Sequence, residues 1–389
     1  MSGDNNSDAK YRTAAAIGEQ VLKQAAVVVV PGMSTAAVCR YVDELIEAHC
    51  KAVFRKETSI ERGVAVPTTV SVNRIIQNHS PSADDDYVLR EGDVAKIEVN
   101  VHIDGFIAAV AFTSVATSSP EVPVTDRRAD AISAAYYGSE VVARMIRPGQ
   151  GARNVVKALA LVASGFGCTV AGETFTSQID QFVLSGKNTF ANRFDPDMPA
   201  PDLTFETGEV YTVDCTLSTG SGIARESAHN SAIYQRDVNR QYSLRLRSAR
   251  GLFSEVCKRY SVFPFLMRDA VGNDSSLKAG LGECVRSQLL VPFAVTTDKE
   301  PGDTFVAQFK LTVMCHYEGP IRLTRAIAVP SNVQSATTIP AESEIGQILA
   351  LDCQQAALPE LPRMKLQIQT PVAATLAGTA TAPARMDIS

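Results

Sequence analysis

Hydrophobic positions recur at helical spacing from residue 10 to residue 50. Ala14, Ile17, Val21 and Leu22 share one face, and after Pro31-Gly32 so do Val38, Val42, Leu45 and Ile46. Two helices are predicted there, the second capped by Ser34 or Thr35. The period then changes to two. Strands are predicted at 64–73 (VAVPTTVSVN) and through VAKIEVNVHIDGFIAAVAFTSV, Val94 to Val115, where Asp104-Gly105 breaks an alternating run into a hairpin. A helix follows at about 127–147 and stops at Arg147-Pro148-Gly149. The second half repeats the order loosely: a helix near 152–164, strands near 168–175, a helix near 177–186, and strands at 209–219 and 304–315. Residues from about 225 to 300 read mainly as helices, through Leu252, Phe253, Val256, Cys257 and Tyr260, then Leu277, Leu281, Val285, Leu289 and Leu290. Helices alternating with strands predict a mixed α/β (α+β) fold that carries the 225–300 block as an insertion.

The chain has 389 residues, enough for one large or two medium domains, and its hydrophobic share of 45% with 20% charged residues suits a soluble globular protein. We expect a flexible N-terminus at 1–10, one domain over 11–365, and a disordered tail from 366 to 389, where PVAATLAGTATAPARMDIS is rich in Ala, Thr and Pro. The N-terminal MSGDNNSDAKYR has no apolar core before its first charges, so no signal peptide is expected, and AAVVVVPG is too short to span a bilayer. Eight cysteines lie scattered without a Cys-x-x-Cys pair. Buried free thiols in a reducing compartment follow, which points to cytosol or nucleus.

A hairpin of this kind can carry one acid on each strand, facing one another, to hold a metal ion. Here the first strand offers Glu98, but the second offers only Ala108, Ala109 and Val110. His79, His102, His229 and His316 show no spacing that supports a zinc site. The run Asp84-Asp85-Asp86 lacks the Gly and Glu of a calcium loop and reads as a solvated acidic turn. Ser218-Thr219-Gly220-Ser221-Gly222 reads as a flexible loop without phosphate-loop spacing. The net charge of −5 is mild, so a contact with nucleic acid must come from a local patch. One exists. Arg236, Arg240, Arg245, Arg247 and Arg250 stand against the single acid Asp237, with Tyr234 and Tyr242 interleaved and Lys258 and Arg259 beyond. Arginine suits forked phosphate contacts, and tyrosine offers a stacking face for unpaired bases.

The segments PGMSTAAVC, GVAVPTTVSVN, EGDVAKIEVNVHIDGFI, GEVYTVDC and FVAQFKLTV together resemble those that build the creatinase-like pita-bread fold of type 2 methionine aminopeptidases. The insertion at about 225–300 resembles the feature of the type 2 subgroup. YQRDVNRQYSLRLRSARGLFSEVCKRY and FVAQFKLTVM resemble, more closely, the proliferation-associated (ErbB-3-binding) proteins, a branch of this family without peptidase activity. The resemblance covers roughly residues 10–350, in order.

The family's peptidases hold two metal ions with two Asp of the hairpin, a His and two later acids, while a separate His binds substrate. The resemblance places the hairpin acids on Glu98 and Ala109, the ligand His on Thr174, and the later acids on Asp214 and Lys310. The substrate His falls on Asn78, with His79 as its neighbour. Two carboxylates therefore remain, and the Lys310 ammonium is expected between or beside them. The resemblance implies no metal at this centre, no cofactor and no peptidase activity. It further implies binding to ribosomal RNA, to the large ribosomal subunit near the peptide exit and to structured RNAs, partly through the arginine-bearing insertion. Growth or translation would be regulated, by a monomer that does not enter membranes and is cytoplasmic, with a nuclear or nucleolar pool. Two features depart from close relatives: the tail has only Arg363, Lys365 and Arg385 in place of a lysine-rich extension, and Ile345-Gly346-Gln347-Ile348-Leu349 stands where a Leu-x-x-Leu-Leu motif can occur. The rival readings are an active metallo-aminopeptidase with a rearranged site and a receptor-associated scaffold.

Overall fold

The two N-terminal apolar faces become α1 (Asn5–Val27) and α2 (Thr35–Ala52) in a computed structural model that describes residues 5–81, 85–194, 202–272, 274–325, 327–362, 364, 366 and 368. Ser34 caps α2 by accepting from the Ala37 amide at 3.0 Å, while Asp86 accepts from Ser34 Oγ at 2.5 Å and from the Ala36 amide at 2.9 Å. Asp86 is therefore a helix anchor rather than part of a solvated turn; Asp84 lies outside the described residues. Residues 5–10, expected in a flexible terminus, are the first turns of α1, where Lys10 Nζ pairs with Asp104 at 2.7 Å.

The strands follow as β1 (Arg62–Val72), β2 (Ile75–Gln77), β3 (Val94–Ile103) and β4 (Phe106–Val115). Asp104 and Gly105 both have positive φ, 52° and 81°, which gives the two-residue turn the hand that twisted strands require. After α3 (Arg127–Met145) and α4 (Ala152–Gly165) come β5 (Thr169–Val170), β6 (Phe175–Ile179), β7 (Thr189–Ala191) and β8 (Val210–Ser218). The helix expected near 177–186 does not form. Its first residues extend β6, and Phe182 takes a φ of 59°, which a helix does not admit, to lie against Gly105.

The insertion holds more helix than strand, with short strands set around and between the helices. It contains β9 (Ala224–Glu226), β10 (Ile233–Arg236), α5 (Arg247–Arg259), β11 (Phe265–Leu266), α6 (Met267–Val271), α7 (Ser275–Lys278), α8 (Leu281–Arg286), β12 (Leu290–Pro292) and β13 (Thr296–Asp298). Leu252 and Val256 of α5 pack on Tyr234, Phe265, Cys284 and Leu290 in a second small core. The chain then returns as β14 (Val306–Met314), followed by β15 (Ile321–Arg322), α9 (Glu344–Leu349) and β16 (Gln354–Gln355). Ile345 of α9 is buried and the helix packs on α3, as its apolar spacing allows.

Among the described residues, a ten-stranded sheet runs β1-β3-β4-β14-β8-β6-β7, antiparallel at each step along that path, with β5 paired to β8, β15 to β14 and β16 to β15 beside it. Alternation decides its two faces. Ile97, Val99 and Val101 of β3, Ala108, Val110 and Phe112 of β4, Val213, Cys215 and Leu217 of β8, and Phe309 and Leu311 of β14 join the core beneath the four long helices. The intervening residues form the opposite, polar face. Leu366 and Ile368 of the tail rest against the main core, and residues 371–389 lie outside the described residues. Among the described residues no helix is long and apolar enough to cross a membrane. Cys257 is exposed, whereas Cys39, Cys50, Cys168, Cys215, Cys284 and Cys315 are buried as free thiols.

The loop at Ser218–Gly222 is built rather than slack. Asp298, fully buried, accepts from Ser218 Oγ at 2.6 Å, Ser221 Oγ at 3.1 Å and the Gly222 amide at 2.8 Å. Replacing Asp298 by Ala leaves those donors unpaired and should lower the unfolding free energy by about 2–4 kcal/mol in urea denaturation. An unchanged midpoint would mean that the loop is held by other contacts.

Candidate functional site

One row crosses the polar face of the sheet. Glu98 of β3 is paired with Ala111 of β4, Ala111 with Lys310 of β14, and Lys310 with Asp214 of β8. Directly opposed residues of antiparallel strands point to the same side, so these side chains must share one space. Ala111, with only a methyl group, leaves room for a long side chain to lie across it. The Lys310 ammonium lies 2.6 Å from Glu98 Oε1 and 2.9 Å from Asp214 Oδ2, and all three side chains are nearly buried, at 9–13% exposure.

The neighbouring rows complete the hydrogen bonding. Gln308 Nε2 donates to Glu98 at 3.2 Å and to the two oxygens of Asp214 at 3.1 and 3.0 Å. Asn100 Nδ2 donates to Glu98 Oε1 at 3.0 Å, and Thr216 Oγ1 to Asp214 Oδ1 at 2.7 Å. Burial pushes the Glu98 carboxyl up, but the Lys310 charge and the bonds from Lys310, Asn100 and Gln308 outweigh it and hold Glu98 below the usual glutamate range. For Lys310, burial opposes the charged form, yet the two carboxylates prevail and raise the ammonium above its ordinary value.

Ala109 lies opposite Asn100, two pairs along from Ala111, with its amide donating to Thr312 Oγ1 at 2.9 Å. It offers the row no side-chain donor. Thr174 precedes β6, and its hydroxyl donates to the Ala171 carbonyl at 2.8 Å. The β6 residue registered opposite Thr212, and so on the row's side of the sheet, is Ser177. Asn78 has a φ of 66° and donates through Nδ2 to the Ala294 carbonyl at 2.9 Å, while His79 is buried against the Val70 carbonyl. Gln308, Asn100 and Thr216 were not singled out in the sequence. The signal was available: each stands two residues from Lys310, Glu98 or Asp214 on a strand, hence on the same face.

The arginine segment divides into two groups. Arg236 is turned inward, with its guanidinium on Cys257 Sγ at 3.3 Å and the Ser261 carbonyl at 3.0 Å, and Tyr234 is buried in the small core. Arg250 holds the carbonyls of Leu244 and Arg245 at 3.0 and 2.7 Å, Lys258 pairs with Glu255 at 2.8 Å, and Arg259 lies over the Tyr260 ring. Arg240, Tyr242, Arg245 and Arg247 are exposed. Glu283 accepts from the amides of Arg245 and Leu246 at 2.7 and 2.8 Å and so fixes the backbone from which these side chains project.

An antiparallel sheet backed by helices, with an acid-lined polar face and a separate arm, defines the pita-bread architecture, and comparison with known proteins agrees. The model of metallopeptidase family M24 matches residues 9–183. ErbB-3 binding protein 1 of Solanum tuberosum is 35% identical over 344 residues, covering 88% of this chain and 87% of its own. Proliferation-associated protein A of Dictyostelium discoideum is 33% identical over 304 residues, 78% of each chain. Among solved structures, a thermophilic Arx1 superposes with a TM-score of 0.81 at 26% identity, over 89% of this chain and 98% of that one. The chain belongs to metallopeptidase family M24 and, within it, to the branch of the proliferation-associated (ErbB-3-binding) proteins.

Replacing Lys310 by Met leaves two buried carboxylates without their cation and should cost about 1–4 kcal/mol at pH 7. The pH dependence has a definite sign. With Lys310 present, Glu98 titrates below the unfolded value of about 4.3, so its contribution is complete above that pH and is lost on acidification through the folded pKa. Without Lys310, burial and like charge raise the folded carboxyl pKa instead. The deficit of the variant should therefore shrink as the pH falls from 7 toward 5, measured by denaturant unfolding. A deficit that is absent, or constant over that range, would contradict the shared ion pair.

Proposed function

We propose that this chain is a binding protein on an aminopeptidase fold, without peptidase activity, that attaches to RNA and to the large ribosomal subunit near the peptide exit and regulates growth or translation. The observation that carries the reading is the Lys310 ammonium, seated 2.6 Å from Glu98 and 2.9 Å from Asp214. Hydrolysis by this family's chemistry needs two divalent cations that share carboxylates, activate a water and polarise the scissile carbonyl. A tethered cation already engages both remaining acids, and Ala109 supplies no donor. An added metal would meet like charge at close range in a nearly dry site, where repulsion is weakly screened. Purified protein supplied with Co²⁺ or Mn²⁺ should release no N-terminal methionine from model peptides. Release that a chelator abolishes would overturn this.

The nucleic-acid half of the reading is supported by the exposed Arg240, Arg245 and Arg247 beside Tyr242, a local reversal of sign on a chain of net charge −5. We place such a protein in the cytoplasm with a nuclear or nucleolar pool. Each phosphate neutralised releases counterion, so log K should fall with log salt by about 0.7–0.9 per contact. Changing these three arginines to Gln should weaken binding to ribosomal RNA across sequences alike and flatten that slope by about two units, with the fold intact. Arg55, Arg153 and Lys187, also exposed, give the control of equal charge. If both triple variants lose ribosome binding equally, or neither does, the insertion is not the contact face.

A further inference from the structure

Away from the central row, three side chains that are distant in sequence converge: His79, Asp85 and His229. Their donor atoms all lie within 4.8 Å of one another. His79 follows β2 and is 1% exposed. Its Nδ1 lies 2.9 Å from the Val70 carbonyl, and a carbonyl can only accept, so Nδ1 carries the proton and Nε2 keeps its lone pair. That Nε2 is buried and has no hydrogen-bond partner. Burial pushes the His79 pKa down and favours the neutral, ligating form of the ring. Beside it stands the His229 ring, with centroids 4.7 Å apart, and His229 Nδ1 lies 2.9 Å from Asp85 Oδ1.

We propose that His79, His229 and Asp85 form a site for one divalent transition-metal ion, and that two imidazoles with one carboxylate suit zinc. The site is distinct from the Glu98–Lys310–Asp214 row. An unpaired buried imidazole nitrogen costs free energy, and a metal ion is a partner that a lone pair, unlike a proton donor, can take. The Val70 carbonyl supplies the outer contact that metal-binding histidines ordinarily have, which fixes the tautomer and aims Nε2. Donors around tetrahedral zinc stand about 3.3 Å apart, so the His229–Asp85 pair must open slightly and the longer separations close by about an ångström. His79 is fixed by burial, whereas His229 and Asp85 are about one-third exposed and lie in loop segments that can close on it. Asp85 is held near its place by Asp86, which is bonded to the start of α2.

His229 and Asp85 also line an open cavity of about 420 Å³, through which water can complete the coordination. Its charges balance, with Arg74, Arg225 and Lys299 against Asp85, Glu226 and Asp298. The field of Lys96 acts against a cation at His79, but burial lowers the Lys96 pKa to about 7 and the carbonyls of Asn73 and Val306 take its amine at 3.0 and 3.1 Å. A metal here would clip the start of the inserted arm to the loop after β2.

The test uses the full chain, stripped with a chelator and titrated with Zn²⁺ by calorimetry. One equivalent should bind at micromolar or lower Kd and raise Tm. His229→Ala should abolish that equivalent and Asp85→Asn should weaken it at least about tenfold, while Glu98→Gln should leave it unchanged. Co²⁺ should give ligand-field absorption in the wild type that is missing in His229→Ala. Because His229 and Asp85 are partly exposed, both variants are read as folded proteins, checked by circular dichroism. No uptake at micromolar zinc, or an equivalent that survives both variants, overturns the proposal. Loss of the equivalent in Glu98→Gln instead would place the metal in the central row and overturn the non-peptidase reading as well.

Discussion

A single ammonium shared by two carboxylates is the interaction on which the middle of this molecule depends. Lys310 lies on the strand that returns from the insertion, and its partners sit on β3 and β8, on either side of it in the sheet. Two acids in one nearly buried row would repel each other and resist desolvation. One cation, with amide and hydroxyl donors from Gln308, Asn100 and Thr216, satisfies both. The rest of the site follows from that. Ala111 must be small because the lysine crosses it, and Gln308 must lie two residues before Lys310 to reach both acids.

The same alternation that makes the row makes the core. Each of the four central strands sends every second residue to the helices and the others to the polar face, so packing and chemistry are interleaved along one stretch of chain. A shift of register by one residue would bury Glu98 and Asp214 among valines and expose the core residues to the cleft. The arm is separate in this respect. It has its own small core, and its exposed arginines contribute nothing to the central sheet.

Much of this was legible in the sequence, and for physical reasons. Long amphipathic helices and alternating strands announce themselves through local periodicity, so α1, α2, β3, β4, β8 and β14 fall where hydrophobic spacing puts them. The meeting of Lys310 with Glu98 and Asp214 was legible only through the family resemblance, which assigns those three positions to one centre. Short, irregular pieces were not legible. Phe182 continues an apolar spacing that suggests a helix, but its contact at the hairpin turn, a tertiary one, draws the backbone to positive φ. Tyr234 looks like a surface residue among charges, yet β10 pairs on both sides there and carries it into the small core. His79 and His229 are 150 positions apart, and no spacing rule detects a meeting that depends on how the arm folds back.

The tethered lysine has a consequence for how the protein comes into being. A metal centre is assembled after synthesis, competes for ions with every other ligand in its surroundings, and exists in loaded and empty forms. An ammonium carried by the chain arrives with the strand itself, at fixed stoichiometry, and cannot be stripped, exchanged for a wrong ion or starved of supply. The cation that Glu98 and Asp214 share is thus part of the chain, one per molecule and held by the strand that carries it.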